Sequence, residues 1–122
     1  MSFHPLLPFV EHLSAHTYLT EEERVALLDL PTSTARVPKD YTVVRQEEVV
    51  HSSCIVLSGL LARTCEGKDG GRPITSFYVA GDMPDLRTVM RTKATFGLCA
   101  VCPSEIARIP HTAMLTAMRC FA

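Results

Sequence analysis

Phe77-Tyr78-Val79-Ala80-Gly81-Asp82-Met83-Pro84-Asp85-Leu86 changes backbone character twice over a short span. The aromatic and β-branched run Ile74–Val79 predicts a strand, and Gly81-Asp82 breaks it. Pro84, with its fixed φ and no N–H to lose, suits the first turn of a short helix running to about Met90 or Arg91. Gly81-Asp82 reads equally as a plain turn and N-cap that needs no ligand.

Upstream, Glu66-Gly67-Lys68-Asp69-Gly70-Gly71-Arg72 supplies glycines for a tight hairpin between strands at Leu60–Cys65 and Ile74–Val79. Further strands are predicted at Tyr41–Arg45, Ser53–Leu57, Phe96–Val101 and Glu105–Ile109, with Ser58-Gly59 as a break or bulge and Arg45-Gln46-Glu47-Glu48 as a solvated turn. Short β segments divided by turn formers predict an all-β sandwich or barrel. Before them, Leu6, Leu7, Phe9, Val10 and Leu13 suggest one short helix. Thr20-Glu21-Glu22-Glu23 is a capping box that opens a second, which stops before Pro31. After Pro110, Thr112–Phe121 reads as a helix with Met114, Leu115 and Met118 on one apolar side. The expected organisation is one domain over 1–122: a helical part at 1–35, a β-roll at 36–110 and the start of a C-terminal helix at 111–122.

The composition agrees with that picture. At 122 residues, 47% hydrophobic and 20% charged, the chain can bury one core. Twelve Lys plus Arg against thirteen Asp plus Glu give a formal charge of −1, which argues against a segment whose work is neutralising many phosphates. No apolar run reaches the ~18 residues of a spanning helix, and the Pro- and Glu-interrupted N-terminus lacks the form of a signal peptide. Five cysteines, an odd number, fit reduced thiols better than a disulfide framework. The expectation is a soluble, cytoplasmic domain.

The order of helix, strands, Gly-rich hairpin, Gly-Asp step, strands and terminal helix resembles the sensory domain of Crp/Fnr-type transcription regulators. The resemblance rests on Leu19–Arg24, on Ile55-Val56-Leu57-Ser58-Gly59, on Gly67–Ile74, on Phe77–Leu86 and on Ile106-Ala107-Arg108-Ile109-Pro110. It implies a mainly β fold, a double-stranded β-helix or jelly-roll of the cyclic nucleotide-binding type with flanking N-terminal helices and a C-terminal helix. It also implies a non-enzymatic domain that binds a small-molecule effector. In relatives that bind a cyclic nucleotide, the Gly-acidic-hydrophobic step holds the phosphate on backbone N–H groups and the ribose on a carboxylate. That pattern maps onto Gly81, Asp82 and Met83, and the chemistry is that of an anion at unpaired donors.

The same pattern ends in an Arg followed by Ser or Thr, and Ala94-Thr95 stands there. A charge-assisted hydrogen bond is worth ~1.5–3 kcal/mol, so losing the arginine is expected to weaken phosphate binding by roughly one to two orders of magnitude. Cyclic nucleotide is therefore the ligand the resemblance implies and the one Ala94 argues against; Lys93, Arg87 and Arg91 are the nearby substitutes. No other cofactor is expected. The resemblance further implies a homodimer through the C-terminal helix; Met114, Leu115 and Met118 are the expected contacts, the alternative being that they pack back onto the β-roll. DNA would be read only by a further domain, because residues 110–122 fall short of the ~20 or more that two helices and a turn require.

Two alternatives remain open: a cupin-like metal-dependent enzyme, and a dimerising module with no ligand. Cys99-Ala100-Val101-Cys102 has CxxC spacing, yet residues three apart on a strand face opposite sides, and small half-buried cysteines explain it. His12 and His16 stand at helical i, i+4 spacing without a third ligand in register. An iron–sulfur sensor would need clustered cysteines near the N-terminus, and the first is Cys54. No metal ligand and no catalytic residue is therefore assigned.

Overall fold

The computed structural model describes residues 6–16, 18–66, 70, 71, 73–85 and 92–120, and within its helices not the side chains of 8, 12, 16 and 117–120. The hairpin tip, the helix expected after Pro84 and the side chains of His12, His16 and Met118 lie outside the described residues.

Helix α1 spans Leu7–His16 and α2 spans Glu21–Leu28. The capping box forms as the sequence predicts: the Glu23 N–H donates to Thr20 Oγ1 at 3.1 Å and the Thr20 N–H to Glu23 Oε1 at 2.9 Å. Three glutamates in the first turn face the positive end of the helix dipole.

Among the described residues seven strands follow: β1 Ser33–Val37, β2 Thr42–Val44, β3 Ser52–Ser58, β4 Leu61–Thr64, β5 Ile74–Tyr78, β6 Gly97–Ala100 and β7 Ser104–Pro110. They form two antiparallel sheets, β1-β7-β3 and β2-β6-β4-β5, the mainly β roll that was expected. Strand β1 is a correction, since the β part begins at Ser33 and not after residue 35. Only Val37 of that strand is buried, so its sequence has no alternation to betray it, and pairing with β7 makes it a strand.

Sheet β1-β7-β3 is covered on both sides. Its inner face gives Cys54, Val56 and Ile106 to a cluster with Val44, Leu61, Leu98 and Ala100 between the sheets. Its outer face gives Ile55, Leu57, Ala107 and Ile109 to a second cluster, closed by Leu6 and Phe9 of the α1 region and by Met114. Burial on both faces explains why Ser53–Leu57 reads as a continuous apolar run. The Ser58-Gly59 break lies where the chain leaves one sheet for the other. Gly59 has φ 89°, and a Cβ there would overlap the Ser104 side chain, whose Oγ accepts the Leu60 N–H at 3.1 Å.

Helix α3 spans His111–Cys120. Met114 is 5% exposed and packs onto the outer face of this chain's own sheet, with Leu115 half-buried beside it. Met114 is thus a core residue and not the dimer contact expected of it, because the helix turns its first apolar turn back onto β7. No helix among the described residues is long and apolar enough to cross a membrane.

Candidate ligand-binding site

Residues 79–85 lie along the open edge of β3. Gly81 donates to the Val56 carbonyl at 2.8 Å, and Val56 donates to the Asp82 carbonyl at 3.0 Å. The chain reaches this edge through a turn closed by the Asp82 N–H on the Val79 carbonyl, 3.0 Å, with Gly81 at φ 96° where a side chain would be strained. The Asp82 carboxylate accepts the Val79 N–H at 2.8 Å, so it braces this turn. Met83 packs against the outer cluster, on the helix side of the sheet.

The carboxylate that is buried belongs to Asp85. It is 2% exposed, and its Oδ1 accepts the Cys54 N–H at 2.8 Å, two residues along the same β3 edge. Burial pushes its pKa up to about 6, against the downward pull of that N–H, its own backbone N–H and Arg108. The Cys54 thiol is pushed up to about 12, first by burial and then by the charge of Asp85, which makes it unreactive. Arg108 stands opposite Cys54 on β7 and donates from Nη2 to the Val43 carbonyl at 3.3 Å. A cleft of about 440 Å³ opens beside it, with Arg45, Glu48 and His51 on its walls.

The far end of the segment is tied down separately. Val50 donates to the Thr92 carbonyl, Ala94 to the Glu48 carbonyl and Glu47 to the Ala94 carbonyl, each at 2.8 Å. Ala94 is 4% exposed within the inner cluster and Thr95 is exposed. Lys93 pairs with Glu47 at 3.0 Å on the surface, which occupies the nearest substitute cation; Arg87 and Arg91 lie outside the described residues.

The sequence expectations missed the polar groups that the roll turns inward. Nothing in the sequence around Asp85 marks it as buried; that follows from its place at the β3 edge. Arg63 shares a face with Leu61 of the inner cluster and with Cys65, which packs against it, and its guanidinium carbon stands 4.3 Å from the Phe96 ring centroid. Among the described residues no three His, Cys, Asp or Glu side chains group as metal ligands, and Cys99 lies on β6 while Cys102 lies in the turn after it.

A family model for the cyclic nucleotide-binding domain matches residues 34–119. No curated protein matches the chain. Similar solved structures include a regulatory protein from Silicibacter pomeroyi DSS-3, with TM-score 0.73 and 22% identity over 83% of this chain and 46% of that one. The sensor domain of the transcriptional regulator DNR from Pseudomonas aeruginosa matches with TM-score 0.73 and 19% identity over 93% of this chain and 81% of that one. The Thermus thermophilus catabolite activator protein matches with TM-score 0.74 and 16% identity over 85% of this chain and 49% of that one. This chain thus spans less than half of the Silicibacter protein.

Proposed function

The chain belongs to the cyclic nucleotide-binding domain family, and from that premise we propose that it is the non-enzymatic, effector-sensing part of a Crp/Fnr-type transcription regulator whose phosphate cassette is altered. The observation that carries the reading is the segment 81–95. One end is hydrogen-bonded to β3 at Val56 and the other to the connection between β2 and β3 at Glu48, so a ligand held there would bridge the strand and that connection. At its end stands Ala94, which has no charge to offer a phosphate.

Gly81, Asp82, Met83, Ala94 and Thr95 remain the proposed ligand region, with Asp82 acting through the turn it braces. No further cofactor is part of the reading. The proposal includes pairing of two copies along α3, now without Met114, and DNA binding by a domain beyond these residues. Effector binding would reach that partner surface through β7, which runs directly into α3.

Calorimetric titration with cyclic AMP and cyclic GMP tests the reading. Affinity weaker than micromolar is expected; micromolar or tighter binding would overturn the altered cassette. One stoichiometric iron, manganese or zinc in the purified protein would favour the cupin-like enzyme instead.

A further inference from the structure

The inner face of the roll carries a cation without an ion-pair partner among the described residues. Arg63 lies on β4, on the same face as Leu61 of the inner cluster, with Leu98 on β6 and Ser76 on β5 as its ladder partners. Its Nε–H is buried and has no hydrogen-bond acceptor among the described residues, and no carboxylate there forms an ion pair with it. Phe96 lies beneath the guanidinium at 4.3 Å, and Tyr78 packs against the same inner cluster beside it. The neighbouring Tyr78 is the main reason the Arg63 pKa is raised further above the ordinary arginine value, so the group stays charged. A buried N–H without an acceptor is costly, and a ligand oxygen would satisfy it.

The two aromatic residues locate the cation. Tyr78 comes just before Gly81 and Phe96 just after Ala94, so the guanidinium is held by the residues that flank the two ends of the segment 81–95. Arginine presents a planar fork of donors suited to two oxygens on one centre, which is the chemistry of a phosphate. The geometry points to Arg63, on β4, as the cationic contact for the phosphate of a nucleotide-like effector, taking the role that Ala94 leaves vacant. This inference rests on the reading of 81–95 as the ligand region.

The test is titration of the full chain with cyclic AMP and, separately, inorganic phosphate, followed by the ¹⁵N–¹H signal of the Arg63 Nε and by calorimetry. Expected is a shift of the Nε–H signal with cyclic AMP in the wild type, at least a ~tenfold loss of affinity in Arg63→Gln, and a smaller loss in Arg63→Lys, which keeps the charge without the fork. Inorganic phosphate moving the same signal at higher concentration would show that the anion alone is recognised. Cyclic AMP binding that leaves the Nε–H signal unmoved and survives in Arg63→Gln would overturn the role of Arg63 while leaving 81–95 as a ligand region. Absence of any cyclic AMP or phosphate binding by the wild type would overturn both. The wild-type signal decides the matter even if Arg63→Gln folds poorly.

Discussion

Asp85 Oδ1 accepts the Cys54 backbone N–H at 2.8 Å, a side chain from one segment completing the hydrogen bonding of another strand's open edge. With the Gly81 and Asp82 bonds to Val56, it lets residues 81–85 act as a border to β3, so that the edge has no row of free donors. Asp85→Ala leaves the Cys54 N–H buried without that acceptor and is expected to cost ~1–3 kcal/mol, whereas Asp85→Asn keeps an acceptor.

The same carboxylate sets a pH dependence. Its pKa in the folded protein is about 6 against 3.8 for the free group, so the folded state holds the proton more tightly within that window. The Asp85 contribution to stability is greatest below the window, falls as pH rises through it and is flat above. Urea unfolding of wild type and Asp85→Asn should therefore diverge across the window, with the asparagine variant gaining relative stability as pH rises. Parallel curves would show that Asp85 is not buried as a charge.

The turn before it depends on Gly81. At φ 96° an alanine is strained by ~1–2 kcal/mol, and the Gly81 N–H bond to Val56 would be disturbed with it. Asp82→Ala removes the bond to the Val79 N–H, on a half-buried side chain, and that loss should cost ~0.5–1.5 kcal/mol. Thermal unfolding of the two variants should rank Gly81→Ala as the more damaging; the reverse order would mean that Asp82 does more than brace the turn.

Met114 gives a test of where α3 belongs. Buried against Ile109 and Ala107 on the outer face, its truncation to alanine is expected to cost ~2–5 kcal/mol in the single chain. Sedimentation should show the same oligomeric state for wild type and Met114→Ala. A change of oligomeric state without a loss of stability would return Met114 to the dimer contact.

Local signals were legible in the sequence and long-range ones were not. Thr20 and Glu23 satisfy each other within one turn, so their pattern is complete in four residues. Strand β1 has no such signal, because Ser33–Arg36 are exposed and only the register with β7 defines them. Asp82 and Asp85 are alike in sequence; which one is buried depends on the edge of β3, some thirty residues away in the chain. Arg63 was hidden because Leu61 and Ala62 are both buried, which blurs the alternation that would have placed Arg63 inside.

Ala94→Arg tests the altered cassette directly. Ala94 is 4% exposed, and its backbone is fixed by bonds to Glu48 and Glu47, so an arginine there starts from a held position beside Phe96. The added bulk within the inner cluster should lower stability without ligand by ~1–3 kcal/mol. A new charge-assisted bond, worth ~1.5–3 kcal/mol, should tighten cyclic AMP binding by roughly ten- to a hundredfold. Thermal shift should therefore show a lower starting Tm and a larger rise with cyclic AMP than in wild type. If Arg63 already serves the phosphate, Ala94→Arg should also restore binding to Arg63→Gln, since either cation reaches the same anion. A variant that loses stability and gains no affinity in either background would mean that residues 81–95 do not enclose the phosphate site.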